Sequence, residues 1–148
     1  MIVYRITTKE WSRKLSASGN AARWNSKGNF VIYTAESRAL ACLENMVHRS
    51  GVGSNALYRV MLINVPDKLK IETLDVSKLK KDWHAIQNYY YCQAIGDKWL
   101  HAGTSVALKV PSSVIKKEFN YLLNPAHADF KKIKLEGVEY FDFDDRIA

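Results

Sequence analysis

Residues 22–48, ARWNSKGNFVIYTAESRALACLENMVH, form the stretch around which the rest of the chain is organised. Arg23 precedes a turn, Tyr33 lies near the end of a predicted strand, and Glu44 lies inside a predicted helix. A guanidinium, an aromatic ring and a carboxylate that converge in this way can hold a charged nucleotide and cleave it. The stretch therefore suggests an anion-binding site with a carboxylate of its own.

The local structure of this stretch follows from its residue types. Residues 26–29 (SKGN) favour a turn, because Gly and Asn tolerate turn conformations. Residues 30–34 (FVIYT) are aromatic and β-branched, which predicts a strand. Residues 37–48 carry apolar side chains at helical spacing, and Thr34 or Ser37 can cap this helix. The apolar stripe consists of Ala39, Leu40, Leu43, Met46 and Val47.

Glu44 lies at the margin of that stripe. At roughly 100° per residue, its side chain is about 100° from the centre of the apolar face. A carboxylate at such a margin can face a cleft, and it can equally be a plain surface glutamate. Periodicity alone leaves both interpretations open.

The remaining chain consists mainly of short strands and loops. Strands are predicted at residues 2–6, 57–65, 71–74 and 106–110, and a loop at residues 51–55. Residues 89–100 are ambiguous between strand and helix, and residues 120–125 are irregular or a short strand. Glu136-Gly137 predicts the turn of a hairpin between residues 131–135 and 138–143. Six or seven strands with two to four short helices predict an α+β fold with small mixed or antiparallel sheets.

Size and composition place the chain among ordinary globular proteins. Its 148 residues, 47% of them hydrophobic and 25% charged, predict a single domain over residues 1–148. No apolar run approaches the roughly 18 residues of a membrane span, and the N-terminal residues lack the pattern of a signal peptide. We therefore expect a cytoplasmic protein that has no contact with a membrane. Cys42 and Cys92 have no metal-binding spacing, so we expect two buried thiols and no metal.

The charge points to an anionic partner. The chain carries 22 Lys and Arg against 15 Asp and Glu, a net charge of +7. Nucleic acid, a nucleotide or an acidic protein would each suit such a surface. Two lysine clusters, residues 78–81 and 131–134, are compatible with solvated faces or with RNA binding, in which aromatic rings stack on bases.

Common catalytic motifs are missing from the sequence. There is no GxSxG, P-loop, GxGxxG or HExxH pattern. Ser112 follows Pro111 at the end of a predicted strand, where a serine commonly caps a helix. The four histidines are scattered, and each is more typical of a structural or surface residue: His48, His84, His101 and His127. Residue spacing alone thus predicts a basic α+β domain with an anion site and does not specify an enzyme.

Several segments together resemble one protein family. Tyr4-Arg5, the stretch beginning RWN, QAIGDKWL, ALKVPSS and NYLLNPAHADF have the order and approximate spacing of the RES domain. This family is named for an arginine, a glutamate and a serine. The resemblance covers residues 2–143, and five matching segments are far more specific than any one of them.

The resemblance implies a fold and a function. RES proteins are similar in fold to ADP-ribosyltransferases and act as the toxins of bacterial toxin–antitoxin pairs. They consume NAD as a substrate, without a metal, by hydrolysis or phosphorolysis of the nicotinamide–ribose bond, and some are described as ADP-ribosylating a protein. The resemblance implies as partner an Xre-type antitoxin, which covers the active site and mediates any contact with DNA. A homodimer or a larger toxin–antitoxin assembly is expected.

The resemblance also implies site residues. Arg5 and Arg23 match the arginines of the NAD pocket, Tyr33 matches its aromatic residue, and Glu44 and Ser112 match the family's glutamate and serine. Glu44, Arg23 and Ser112 are then the expected catalytic residues, whereas Arg5, Arg23, Tyr33 and Ser112 are expected to bind NAD. Ser113 stands where the family more often has alanine, so either serine could face the site.

Overall fold

The computed structural model describes residues 1–48 and 57–147, so the loop predicted at residues 51–55 lies outside the described residues. Short 3-10 turns occur at Trp11–Arg13, Val76–Lys78, Ile86–Asn88 and Ala128–Lys132. The helices are α1 (Arg38–His48) and α2 (Tyr89–Ala102). The strands are β1 (Ile2–Thr8), β2 (Ile32–Ala35), β3 (Tyr58–Asn64), β4 (Ile71–Thr73), β5 (Ala107–Pro111), β6 (Phe119–Leu123) and β7 (Lys134–Phe141).

All seven described strands join one mixed sheet in the order β4-β5-β6-β2-β1-β3-β7. The β4–β5 pair is parallel, and the other pairs are antiparallel. The predicted α+β class is confirmed, although the strands form one sheet rather than several small ones. The ambiguous residues 89–100 are helical, and residues 119–123 are a regular strand near the centre of the sheet.

The core lies on both faces of this sheet. One cluster, which includes Val3, Met61 and Leu123, is covered by loop residues such as Leu15. The opposite face is covered by the two helices, α2 over one half of the sheet and α1 over the other. Both cysteines are buried as predicted, Cys92 on the inner face of α2 and Cys42 on α1.

The sheet opens between its first two strands. β1 pairs with β3 along its whole length, but it pairs with β2 only at Tyr4↔Ala35. Because the two strands share only this one paired position, at the last residue of β2, residues from both strands border a gap in the sheet. This gap is the cleft described below.

The buried face of α1 differs from the predicted stripe. Leu40 and Ala41 are buried against the sheet, whereas Leu43 is 38% exposed and Val47 is 62% exposed. Glu44 follows Leu40 by four residues and Ala41 by three, so it lies on the same inner face of the helix and not at the margin of that face. The predicted stripe was centred on the wrong side because it counted Leu43 and Val47, which are apolar but exposed. Glu44 is partly buried on the other side, where hydrogen-bond partners lower the cost of its burial.

The hairpin predicted at Glu136-Gly137 is wrong. These residues lie inside the continuous strand β7, which pairs with β3 along its length. The register passes from Leu62↔Gly137 to Ile63↔Leu135, so Glu136 is the extra residue of a β-bulge. Gly favours bulges as well as turns, and the pairing partner that distinguishes them is remote in sequence.

Candidate active site

A cleft of about 410 Å³ occupies the gap between β1 and β2. It is lined by strand residues on both sides, by α1, by the segment around Arg23 and by Tyr89 at the start of α2. Four of the five residues expected to form the site line this cleft: Arg5, Arg23, Tyr33 and Glu44. Segments that are distant in the chain therefore converge on one surface.

Glu44 is held at one end of the cleft by three neighbours. Its Oε1 accepts hydrogen bonds from Ser112 Oγ at 2.6 Å and from Asn120 Nδ2 at 2.8 Å. Its Oε2 lies 3.2 Å from Nε2 of His48, one helical turn later. Burial, the largest single influence, raises the pKa of Glu44, but the hydrogen bonds from His48, Ser112 and Asn120 outweigh it and lower the pKa overall. The carboxylate is therefore ionised at neutral pH.

The two adjacent serines have separate positions. Ser112 is fully buried, and its Oγ accepts hydrogen bonds from the backbone N–H groups of Val114 and Ile115, both at 3.0 Å, while it donates to Glu44. Ser113, in contrast, lines the cleft. In the described chain no helix separates Ser112 from β6, so its hydroxyl caps a turn between β5 and β6 and at the same time holds Glu44. Ser112 itself does not line the cleft, and its enclosed hydroxyl reaches the cleft through Glu44, so its expected contact with NAD stays a prediction.

Arg23 has a different environment from the one expected of a phosphate ligand. It is 7% exposed, and its guanidinium donates to three successive backbone carbonyls, those of Trp83, His84 and Ala85, at 2.9 to 3.1 Å. The guanidinium also stacks 4.2 Å from the ring centroid of Tyr89. Arg23 lines the cleft, but in this structure its charge fixes the segment 83–85 as part of the wall.

The residues that follow Arg23 fix the position of Tyr33. Asn25 is 1% exposed, donates to the carbonyls of Asn20 and Asn29, and accepts from the Tyr33 hydroxyl at 2.5 Å. The same hydroxyl accepts from the backbone N–H of Trp24 at 3.0 Å. Burial raises the pKa of Tyr33, so the hydroxyl remains a donor. Tyr33 is thereby held by its polar end, and its ring is left to line the cleft.

A glycine of α2 allows this segment to pack closely. A Cβ on Gly96 would lie only 1.7 Å from the backbone carbonyl oxygen of Trp24. Any other residue would therefore push the helix away from the RWN segment. The RWN and QAIGDKWL segments, which carry the resemblance in the sequence, are in direct contact in the fold.

Arg5 approaches the cleft from β1. Its Nη1 donates to the carbonyl of Ser16 at 2.7 Å, which orients the guanidinium. Burial lowers the pKa of Arg5, but arginine does not lose its proton in proteins, so the group stays positive. The cleft thus combines a cation from β1 with the carboxylate from α1.

Asn120 and His48 are functional candidates that the sequence analysis did not assign to the site. Asn120, on β6, donates to Glu44; it opens the NYLLNPAHADF segment of the resemblance, but its residue type and spacing alone do not distinguish it from other polar strand residues. His48 did carry a signal, since it follows Glu44 by one helical turn, a spacing at which side chains meet. Both residues line the cleft.

The basic clusters are not part of this site. The cleft lining in the described part of the chain includes no lysine from residues 78–81 or 131–134. Across residues 1–48 and 57–147, no group of three or more His, Cys, Asp or Glu side chains is placed to hold a metal ion. None of the helices described here has the length and apolarity required to cross a membrane.

Comparison with known proteins shows that the chain is similar to bacterial toxins. Over 138 residues the chain is 35% identical to a Prs ADP-ribosylating toxin of Sphingobium sp. strain YBL2, covering 90% of this chain and 86% of that protein. It is 34% identical to Toxin Res of Photorhabdus laumondii, covering 97% and 93% of the two chains. These alignments span nearly the whole of both partners.

A solved structure has a similar fold. The crystal structure of the M. tuberculosis MbcT–MbcA toxin–antitoxin complex contains a chain that superposes with a TM-score of 0.77 at 19% identity, covering 95% of this chain and 84% of that one. At that identity the likeness concerns the fold alone. The RES domain family matches residues 2–145, which include all the strands and helices of the described residues as well as the cleft. The chain therefore belongs to the RES domain family.

Proposed function

We propose that this protein is the toxin of a bacterial toxin–antitoxin pair and that it consumes NAD by cleaving the nicotinamide–ribose bond. The observation that carries the proposal is the cleft in which the ionised Glu44 is fixed beside a cationic and aromatic wall. Expression of such an enzyme would deplete NAD and arrest growth.

The chemistry requires a carboxylate in this environment. Breaking an N-glycosidic bond develops positive charge on the ribose, as in glycoside hydrolysis. A fixed carboxylate stabilises that charge more in the transition state than in the ground state, and removal of one such group commonly lowers the rate by about 10²–10³-fold. The lowered pKa of Glu44 keeps it ionised for this role. The departing nicotinamide leaves as a neutral base, so no acid is needed to protonate it.

Substrate binding is assigned to the wall of the cleft. Arg5 provides a charged planar group suited to the pyrophosphate of NAD. Tyr33, fixed through its hydroxyl, presents its ring to the nicotinamide. Arg23 supports the same pocket by holding residues 83–85, because its hydrogen bonds in this structure go to the backbone.

The acceptor of the ADP-ribosyl group is decided by product analysis. Purified protein is incubated with NAD in buffer with or without inorganic phosphate, and the ribose-side product is identified by mass spectrometry. Water as the acceptor gives ADP-ribose, and phosphate gives ADP-ribose-1″-phosphate. Intact NAD under both conditions and with a lysate present would contradict the proposed function.

ADP-ribosylation of a protein is the second candidate. The Sphingobium relative bears the name of an ADP-ribosylating toxin, and 35% identity makes the same acceptor class reasonable for this chain. Incubation of a lysate with labelled NAD tests it, since a labelled protein band would identify a protein acceptor. A salt-sensitive RNA complex without NAD loss would instead favour a ribonuclease or RNA-binding protein.

The proposed inhibitor is an Xre-type antitoxin that covers the cleft. A toxin–antitoxin complex is the source of the similar fold, and the net charge of +7 suits an acidic partner. Ile86 and Tyr90, which flank the cleft residue Tyr89, are 80% and 86% exposed. We expect co-expression to yield a stable complex, with a toxin homodimer or a larger assembly and with DNA contacts made by the antitoxin. Size-exclusion chromatography with light scattering tests the stoichiometry.

A further inference from the structure

The two oxygens of Glu44 have unequal surroundings. Oε1 accepts two hydrogen bonds, from the fully buried Ser112 and from Asn120, which is 8% exposed. Oε2 is 3.2 Å from Nε2 of His48, and the His48 side chain is 41% exposed. One oxygen is therefore held from inside the fold, and the other is on the accessible side.

We infer that Asn120 is a positioning residue which, together with Ser112, fixes Oε1 of Glu44 so that Oε2 is the oxygen directed at the reacting ribose. This inference rests on the proposed NAD-cleaving function and goes beyond it by dividing the carboxylate into a held and a working oxygen. Two donors fix a carboxylate better than one. Ser112 follows β5 and Asn120 lies on β6, so they approach Oε1 from different elements.

The hydrogen bonding of Ser112 gives its hydroxyl proton one direction. Two backbone N–H groups occupy the acceptor side of its Oγ, at 3.0 Å each. The proton is then free to point only at Glu44, where the 2.6 Å distance is that of a strong charge-assisted bond. The hydrogen bond from Ser112 alone would let the carboxylate rotate about the line from Ser112 Oγ to Oε1. A second restraint is needed to prevent that rotation.

Asn120 supplies the second restraint. It lies on β6, between β2 and β5, opposite Ala35 and Val110, so its backbone is fixed on both sides by strand pairing. Its amide must present the NH₂ group to the carboxylate, because the reverse orientation would place two acceptors face to face. Its Oδ1 is buried without a hydrogen-bond partner among the described residues.

That unpartnered carbonyl argues against a role in stability alone. A buried acceptor without a donor destabilises the folded state by about 1–3 kcal/mol. An asparagine at this position therefore loses part of the stability that its hydrogen bond to Glu44 provides. The residue makes physical sense as a donor for Glu44, whose orientation decides where the negative charge lies.

The test uses Asn120→Ala and Asn120→Asp in the nicotinamide-release assay. We expect Asn120→Ala to lower kcat by about tenfold to a hundredfold with little change in KM, because a misplaced group loses transition-state stabilisation. The acid limb of its kcat profile should move to higher pH, because a donor to the ionised form is gone. Asn120→Asp should be worse, because it places a second carboxylate beside Glu44.

Asn124→Ala is the matched control. Asn124 is 2% exposed, donates to the Leu100 carbonyl and accepts from Ala126, so its loss destabilises the end of the same strand. We expect it to lower the melting temperature and to leave the pH profile unchanged. A loss of activity in Asn120→Ala with an unshifted pH profile, equal to that of the control, would overturn the inference.

A second measurement separates this inference from the proposed function. The ionisation of Glu44 can be followed without NAD by carboxyl ¹³C NMR in the wild type and in Asn120→Ala. We expect the pKa of Glu44 to rise in the variant, and an unchanged value would refute the positioning role. If NAD stays intact with the wild type while this pKa rises, the proposed substrate fails and the contact between Asn120 and Glu44 stands.

Discussion

Glu44 in the cleft and Glu72 on the outer strand β4 make closely similar hydrogen bonds in different surroundings. Glu44 accepts from the buried Ser112 at 2.6 Å, and Glu72 accepts from the buried Ser105 at 2.7 Å. Each carboxylate has a second side-chain donor, Asn120 for Glu44 and Thr104 for Glu72. The pKa of each group is lowered. For Glu72 the hydrogen bond from Ser105 is the largest influence. For Glu44 the largest influence is burial, which raises the pKa, and the hydrogen bonds together outweigh it.

The difference lies in what surrounds the two carboxylates. Glu44 faces a cleft together with Arg5 and Tyr33, whereas Glu72 lies at the edge of the sheet, outside the cleft lining. A serine–glutamate hydrogen bond is therefore not a sign of function by itself. A charged substrate site also requires enclosure, a cation and an aromatic surface, and the structure provides these only for Glu44 of the two.

The largest expected effect is on growth. Expression of the wild type should arrest growth and lower cellular NAD, and Glu44→Gln should abolish both effects, because the amide cannot stabilise the developing positive charge. Glu72→Gln makes the same change outside the cleft and should remain fully toxic. Equal toxicity of all three proteins, at equal expression on an immunoblot, would show that the cleft carboxylate is not required.

A second contrast is between the arginines of the two Tyr-Arg sequences, Tyr4-Arg5 and Tyr58-Arg59. Arg5 lines the cleft, whereas Arg59 stacks 4.3 Å from the ring centroid of Tyr140 on the last strand. Loss of a charged hydrogen bond to pyrophosphate is worth about 2 kcal/mol, so Arg5→Ala should raise KM for NAD roughly thirtyfold. Arg59→Ala should leave KM unchanged. Steady-state kinetics decides between them, and a larger rise for Arg59→Ala would place the pyrophosphate elsewhere.

The serines separate stability from catalysis. Ser112→Ala and Ser105→Ala each remove a buried hydroxyl with several partners and should each destabilise the fold by about 1–3 kcal/mol. Only Ser112→Ala should also lower kcat, by about tenfold, because only Ser112 holds the cleft carboxylate. Denaturant unfolding and nicotinamide release, measured on the same samples, distinguish the two effects. Equal kcat in the two variants would remove Ser112 from the site.

The smallest expected effect is on acid stability. The folded-state pKa of Glu44 lies below its ordinary value of 4.5, so the charged form stabilises the fold above pH 4.5. That contribution is lost as the pH falls through the folded-state value. The difference in unfolding free energy between wild type and Glu44→Gln should therefore shrink below pH 4.5. The corresponding change for Glu72→Gln should be smaller, because solvent screens that more exposed group. A larger change for Glu72→Gln than for Glu44→Gln would contradict the partial burial of Glu44.

The sequence predicted much of the fold from local patterns. Strands β1 and β3, the helix α1 and the turn before β2 were each indicated by residue type and spacing. The strand β7 was divided wrongly because Glu136-Gly137 is a bulge, and a bulge differs from a turn only in the distant strand beside it. Local chemistry therefore identified the elements, and their pairing needed the structure.

The resemblance pointed to residues that the structure brings to one cleft. The structure differs from expectation in the surroundings of Arg23 and Ser112. Glu44, Tyr33 and Arg5 line one cleft, and the roles toward NAD that the family resemblance implies for them stay predictions. Arg23 also lines the cleft, but its hydrogen bonds to the backbone could not be foreseen, because its three carbonyl partners lie about sixty residues away. Asn120 escaped notice for the same reason, since its partner is 76 residues distant.

The most direct test of the account compares nicotinamide release from NAD by three purified proteins: wild type, Glu44→Gln and Glu72→Gln. All three must first show cooperative thermal unfolding, so that a loss of rate reports on chemistry and not on folding. The account predicts release by the wild type and by Glu72→Gln at similar rates, and a rate at least about 100-fold lower for Glu44→Gln. Equal release by Glu44→Gln, or equal loss in both variants, would contradict the central claim that the cleft carboxylate cleaves NAD.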